Sequence, residues 1–503
     1  MTQAEAMAES AEVNKLKKTL EKKYVHLFPH SHTDEGWLAK SDDFFTGKDT
    51  SIFSGSVQDI LDTTMLELLI DKNRTFCYAE TKYFYMWWEK QDAAMKEKVR
   101  GLVKRGQLDL LSGGWAAPDE ATTTYDQIID NMQIGQQFLQ REFEHHPKVS
   151  WQVDAFGLST GYARLARDFG FDAMFFSRVD IAEKIEMRAQ KKKTEVWRPH
   201  EENFGDQKDI LAFNSDQGAV LGSYCWPAGF WADTSYLIDV PIILNRNDPG
   251  YNFEGKVRAF YEGTVQQFEQ ERTNHQFRPF GCDMAFIEAK INYKIADNLI
   301  ATWNRLGFNE TVELLYSTPT KYIKEIAKEN KKWNTTSEAW PVRRDDTFPY
   351  AQNPNQYWNG FYSSRPHIKK NIRDATTSFH SANRLLAQQI VRKDLDDAEK
   401  HKLLQYQWNT LDALGNLVHH DAITGTSTTD VMGDFNDRAR LTRTRSLQMN
   451  TKFLAERLEQ HHGIHVKPEE LSGSLDYFQT WTNLSSPYSH FNDLMFTVQN
   501  PSA

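Results

Sequence analysis

Residues Phe28 to Leu38 read FPHSHTDEGWL, which sets His30, His32 and Asp34 at alternate positions with Gly36 and Trp37 close behind. The run Lys23 to Phe28 is short and mostly apolar and predicts a strand; Pro29, with no N–H to donate, predicts its end. If the backbone stays extended beyond Pro29, residues two apart point the same way, so imidazole and carboxylate converge on one side of a loop. Such mixed nitrogen and oxygen donors suit a metal ion. An isolated HxHxD is equally a polar loop with satisfied histidines, so partners elsewhere in the chain must decide.

Three other segments offer partners. In WQVDAFGLS, Asp154 follows the candidate strand Val149 to Val153 and precedes a turn at Phe156-Gly157; in RPFGCDMAF, Asp283 follows a turn at Gly281. A carboxylate flanked by aromatics at a strand end must be paired, metal-bound or poised for proton transfer, because desolvation otherwise penalises it. In LVHHDAITGT, His419, His420 and Asp421 stand at the predicted end of a helix before Gly425. The two histidines could simply favour the negative helix C-terminus. Helical phase puts His419 nearer the apolar stripe and His420 on roughly the opposite side, which leaves one of them as a ligand. Two imidazoles and two carboxylates from distant segments have the composition of a zinc site, with bonds of roughly 2.0 to 2.2 Å, although cobalt or nickel would also fit.

The elements that must position these groups follow from the hydrophobic pattern. From Tyr24 to about residue 320, short apolar runs alternate with amphipathic stretches, the pattern of strand and helix that builds a parallel sheet. Candidate strands are Val25 to Phe28, Phe76 to Ala79, Leu108 to Leu111, Val149 to Val153, Ala173 to Phe176, Ile210 to Phe213 and Leu314 to Tyr316. Between Tyr125 and Phe143, Ile128, Met132, Leu139 and Phe143 make the apolar side of a helix. After Trp340 an aromatic, Asn- and Pro-rich loop leads into residues 367–461, which lack Pro and carry long helical periodicity. Leu404, Trp408, Leu411, Leu414 and Val418 step along one face of a helix in a bundle. The expected organisation is a charged arm over 1–23, an α/β domain over 24–340, a helical bundle over 341–470 contributing a metal ligand, and over 471–503 the start of a truncated β domain with a lone strand at 493–498.

At 503 residues with 40% hydrophobic and 13% aromatic content, the chain can bury sizeable cores. A net charge of −10, with no basic block longer than Lys191 to Lys193, excludes the footprint of a nucleic-acid binder. No apolar run is long enough to span a membrane. Three widely spaced cysteines exclude a disulfide scaffold and allow at most one bridge. The first residues lack the apolar centre of a secretory signal.

Seven segments, PHSHTDEGWL, SGGWAAPDEA, WQVDAFG, FFSRVD, GCDMAF, YWNGFYSSRP and HHDAITGT, resemble in order and approximate spacing the motifs of glycoside hydrolase family 38, the class II α-mannosidases, and within it the lysosomal type. The resemblance implies a (β/α)7-type barrel domain followed by a three-helix bundle, and a zinc-dependent retaining exo-α-mannosidase acting on terminal α-mannosyl residues of N-glycan oligosaccharides. By position, His32, Asp34, Asp154 and His420 match the zinc ligands, Asp154 also the nucleophile, and Asp283 the general acid/base. Trp37 matches the aromatic floor under the sugar, Arg178 an arginine beside the nucleophile, Phe156 and Trp358 the pocket walls, and Asp421 a carboxylate that holds a sugar hydroxyl. His30 and His419 are then supporting residues. The family also implies a lysosome-like compartment.

Three positions depart from the family pattern. Ala155 and Leu158 stand where Pro and His are usual, and Gln352 where Asp is usual, which removes hydrogen-bond partners that orient ligating groups. Two other readings remain: a metal-dependent amidohydrolase, which would need two further histidines and a late aspartate at strand ends, and an inactive carbohydrate-binding remnant. The family continues for hundreds of residues into β-rich domains, so this chain is expected to be a fragment with apolar residues exposed on its bundle.

Overall fold

The computed structural model describes residues 21–48, 52–215, 224–227, 230, 242–333, 340–391 and 395–468. Nearly all of the expected N-terminal arm and the whole of 471–503, including the strand expected at 493–498, lie outside the described residues. Ten strands run through the described chain: β1 (Lys23–His32), β2 (Phe76–Tyr78), β3 (Leu108–Leu110), β4 (Val149–Gln152), β5 (Ala173–Phe176), β6 (Thr194–Trp197), β7 (Ile210–Asn214), β8 (His275–Asp283), β9 (Val312–Tyr316) and β10 (Val342–Arg343). Fourteen α-helices accompany them.

The strands form two five-stranded sheets. One has the order β3-β2-β1-β8, with β9 also paired to β1, and is parallel throughout. The other has the order β10-β6-β7-β5-β4 and is parallel except for the β6–β7 pair. The sheets meet where Ser112, just past β3, donates its N–H to the Val149 carbonyl at 2.8 Å and accepts the Trp151 N–H on its Oγ at 2.8 Å. Among the described residues this is a mixed, mainly parallel α/β fold whose strand pairing runs as two joined sheets. Val25, Leu27 and Phe28 of β1 are fully buried at its centre, as the continuous apolar character of a strand covered on both faces requires.

Two expectations about strands need correction. Pro29 does not end β1: pairing with β8 continues in register through Pro29↔Phe280 to His32↔Asp283. The Pro29 carbonyl accepts from the Cys77 thiol on the β2 side, so its missing N–H also faces that side, between the end of β9 pairing at Leu27 and the β2 pairing at His30. The β8 ladder therefore loses nothing. Gly281 is likewise not a turn but a ladder residue of β8, and a Cβ there would stand 1.8 Å from the His30 carbonyl oxygen. Glycine is what lets β8 come this close to β1.

After the loop that follows Trp340, three long helices, Pro366–Ile390, Asp397–Leu417 and Thr429–His462, pack against one another. The first opens with Pro at its N-terminus and the second with a capping box of Asp396 and Glu399, both ordinary helix-start devices. Leu411, Leu414 and Val418 are buried as expected, but Leu404 is 47% exposed and Leu403 takes the inward place. The helix Tyr125–Phe143 packs against Asp397–Leu417 and buries Ile128, Met132 and Leu139. The second long helix is thereby seated on the α/β part, with its C-terminal end directed at the strand ends.

Candidate active site

The four segments singled out by sequence meet at the C-terminal ends of β1, β4 and β8. His32 is the last residue of β1 and Asp283 the last of β8, and the two are register partners. Asp154 lies two residues past β4, and His419, His420 and Asp421 follow the helix Asp397–Leu417. That last segment is stitched to the neighbouring loop: the His420 N–H donates to the Ala117 carbonyl at 3.1 Å, and Pro118 and His419 form a β-bridge. From the other side, buried Lys369 donates to the carbonyls of Ser364, Ile423 and Thr424 at 2.7, 2.9 and 2.9 Å, and Arg365 to those of Gly425 and Ser427 at 3.0 and 2.6 Å.

One donor atom from each of His32, Asp34, Asp154 and His420 lies within 4.8 Å of the other three, and all four residues are buried. His32 Nε2 is 2.9 Å from Asp34 Oδ1 and 3.6 Å from Asp154 Oδ2; His420 Nε2 is 3.2 Å from each. Four donors bound at roughly 2.1 Å around one tetrahedral zinc stand about 3.4 Å apart, so these separations fit. The tautomers agree. His32 Nδ1 faces the Glu80 carboxylate at 3.0 Å and His420 Nδ1 the Ala117 carbonyl at 3.1 Å, and both acceptors require a proton on Nδ1. Each Nε2 then aims a lone pair at carboxylate oxygens, which is repulsive until a cation lies between. Burial opposes charge on His32, yet Asp34 and Glu80 outweigh it and hold its pKa well above the ordinary value, which expresses the same demand for positive charge. Nitrogen and oxygen donors without thiolate suit zinc.

The second carboxylate is beside the first. The Tyr224 hydroxyl oxygen is 2.9 Å from Asp154 Oδ1 and 2.9 Å from Asp283 Oδ1, so the two carboxyl oxygens are at most twice that distance apart. Their environments differ. Burial raises the Asp283 pKa, and the charge on Asp154 raises it further, to about 7. Burial acts on Asp154 too, but Arg178, His420 and His32 reverse it and hold this carboxylate well below the usual range. Arg178 Nε donates to Asp154 Oδ1 at 2.6 Å. One group is thus kept ionised and the other protonated below neutrality, the division of labour that acid–base chemistry on a single substrate needs.

Both carboxylates open into a cavity of about 250 Å³ that is also lined by Asp34, Trp37, Phe156, Arg178, Trp358, Asp421 and Thr426. Phe156 and Trp358 meet edge to face at 5.2 Å, and the Arg178 guanidinium lies 4.8 Å over the Trp358 ring. Thr426 donates its hydroxyl to Asp421 Oδ1.

Comparison with known proteins follows the same division of the chain. Residues 22–353 match the glycosyl hydrolases family 38 N-terminal domain. The chain belongs to glycosyl hydrolase family 38. Residues 356–457 match the α-mannosidase middle domain. Over 426 residues the family 38 chain is 34% identical to a lysosomal alpha-mannosidase of Dictyostelium discoideum, covering 84% of this chain and 40% of that protein. It is 35% identical to the human lysosomal alpha-mannosidase over 415 residues, 82% of this chain and 39% of that one. The chain thus spans about two fifths of the length of these relatives. An alpha-mannosidase structure from Enterococcus faecalis V583 shares the fold, with a TM-score of 0.61 at 15% identity over 87% of this chain and 43% of that one.

In this family 38 chain the structure brings together every site residue expected from sequence, and changes the account of some. His419 and His420 do not diverge as helical phase predicts. The helix stops at Leu417, so the two follow it in a turn and both rings are fully buried. His419 Nδ1 lies 3.2 Å from Glu35 and its Nε2 3.5 Å from Asp34, beside the cluster rather than at its centre. His30 turns its Nδ1 to the Phe28 carbonyl at 3.2 Å. Of the departures, Leu158 sits in an apolar core with Tyr162 and Phe176, its N–H satisfied by Thr347 Oγ1 at 2.8 Å. The Gln352 N–H donates to the Gln356 carbonyl at 3.1 Å. Sequence reasoning missed Glu80 and Tyr224. Glu80 stands just past the apolar run Phe76 to Ala79, where a polar residue at a strand end is itself a signal; nothing in the sequence around Tyr224 marks it.

Proposed function

We propose that this chain carries the active site of a zinc-dependent, retaining exo-α-mannosidase that removes terminal α-mannosyl residues from N-glycan oligosaccharides. The observation that carries this reading is the Asp154–Asp283 pair, bridged by one phenol oxygen and adjoining the four-donor cluster. Retaining glycosidases hold their two carboxyl groups about 5 to 5.5 Å apart, a separation the shared Tyr224 contact allows. Asp154 Oδ2 faces the imidazoles and its Oδ1 faces Asp283, leaving Oδ1 to attack the anomeric carbon as the Asp283 proton passes to the leaving oxygen. Asp283, then ionised, takes a proton from the water that releases the sugar. Arg178 keeps the Asp154 carboxylate charged and aimed. A bound zinc would be held by His32, Asp34, Asp154 and His420, where it would supply a site for vicinal sugar hydroxyls and favour ring distortion towards the oxocarbenium-like transition state. Trp37 offers an apolar floor for the ring and Asp421 an acceptor for a hydroxyl. The small cavity suits one terminal sugar, hence exo action.

We also take the two joined sheets as one distorted (β/α)7-type barrel, with the three long helices as a bundle that closes it over the site. The relatives named lysosomal support an acidic compartment, where Asp283 is protonated. Against the amidohydrolase reading, neither His26, in the N-terminal half of β1, nor His275, the first residue of β8, reaches the cluster. Hydrolysis of an aryl α-mannoside, with its first product followed by NMR, tests the proposal. The α-anomer should form first, and both chelation and Asp154→Asn should abolish turnover. Turnover indifferent to either change would overturn it.

A further inference from the structure

Two of the three cysteines, Cys225 and Cys282, form a disulfide between buried positions. Each is next in sequence to a residue at the carboxylate gap: Tyr224 precedes Cys225, and Asp283 follows Cys282. The two ends are anchored very differently. Cys282 belongs to β8 and pairs with Ser31 of β1, and just beyond it the Met284 N–H donates to the His32 carbonyl at 2.8 Å. Residues 224–227 belong to no strand or helix. This stretch is held by the bridge and by side-chain contacts: the Tyr224 hydroxyl reaches Asp154 and Asp283 and its ring meets His32 edge-on at 5.7 Å, while the Trp226 ring packs edge-on against Phe280 at 4.6 Å and stacks on Phe286 at 5.8 Å. The crosslink ties this stretch, which has no secondary structure of its own, covalently to β8.

We propose that the Cys225–Cys282 disulfide is a positioning element for the acid step, holding the Tyr224 phenol between Asp154 and Asp283, so that its reduction selectively slows substrates whose leaving group needs a proton. The inference rests on the mannosidase reading above. Reduction by a phosphine breaks the S–S bond, adds two electrons and two protons to give two thiols, and leaves the phosphine as its oxide with oxygen taken from water. Misplacing a reacting group by about 1 Å can cost on the order of 100-fold in rate. A dinitrophenolate leaves without protonation and an alkoxide does not, so the two leaving groups separate loss of the acid from general damage.

The test compares kcat/KM for dinitrophenyl and alkyl α-mannosides, which reports the step up to the glycosyl-enzyme. It is run on the oxidised chain, the phosphine-reduced chain and the double variant Cys225→Ser/Cys282→Ser. Thiol titration of the oxidised, unfolded chain should find Cys77 alone; three reactive thiols would overturn the proposal. Reduction should lower the alkyl value at least about tenfold and the dinitrophenyl value less than about twofold. Reoxidation should restore it, and the double variant should resemble the reduced chain and ignore the phosphine. Equal losses on both substrates, or none, would overturn it. Hydrogen exchange over residues 224–227 should quicken on reduction whether or not the chain turns over; unchanged exchange would overturn the positioning role, whereas inactivity of the oxidised chain with exchange behaving as expected would count against the mannosidase reading alone.

Discussion

On the proposed reading Asp154 has one carboxylate and two tasks, and its oxygens divide them: Oδ2 faces His32 and His420, while Oδ1 takes Arg178 and Tyr224. The residues behind the ligands matter for the same reason. Glu80 fixes the proton of His32 on Nδ1 and so frees Nε2. Glu80→Gln should weaken metal binding about 10- to 100-fold, read as the chelator concentration that strips the metal. The pH dependence belongs to Asp283. Its pKa is raised to about 7, so the proton it would donate in the proposed acid role is present below that pH and lost as pH rises through it, while Asp154 stays ionised throughout. kcat/KM for an alkyl α-mannoside should therefore fall above about pH 7, and with Asp283→Asn this alkaline limb should disappear along with most activity. A limb that persists in the variant would assign it to another group.

At the scale of elements, close approach and loop support decide the geometry. Gly281→Ala places a methyl against the backbone of β1, where nothing can rotate away, and should destabilise the chain by about 1–3 kcal/mol or more in denaturant unfolding. Lys369→Ala strips the donor from three carbonyls beside the His420 loop and should cost about 1–3 kcal/mol, with a parallel loss of metal affinity that a purely structural lysine would not show. Elements with uninterrupted apolar runs were legible in the sequence: Ala173–Phe176 agrees residue for residue, and β4 and β7 to within one residue. β8 was not, because HQFRPFGCD carries Arg, Pro and Gly within nine residues, signals that ordinarily break a strand. Here Arg278 is buried with its guanidinium donating to Gln276 Oε1 at 2.6 Å, and the partner strand tolerates the other two. β6 and β10, short and polar at their edges, left no periodic trace.

For the molecule as a whole, the site is a joint between segments up to several hundred residues apart. A cation there ties β1, the end of β4 and the loop after the second long helix, so it should act as a staple. A ligand at 100 times its Kd stabilises by about 2.7 kcal/mol; chelation should lower the Tm accordingly and leave His420→Ala unmoved. Leu404 and Leu441 are exposed on the long helices, and Val391 at the C-cap of the first, single residues of a kind ordinary on protein surfaces. The convergence was legible only from HxHxD, WQVD and HHD taken together with the family resemblance, since each alone also fits an ordinary polar segment. The arrangement that makes them a site was not, since Tyr224 and the Cys225–Cys282 bridge gain meaning only once β8 lies beside β1. The most direct measurement is the metal content of the purified chain after exhaustive dialysis, for wild type and His420→Ala. Close to one zinc per wild-type chain, and far less in the variant, is the predicted result; no retained metal, or the same content in both, would contradict the convergence on which the account is built.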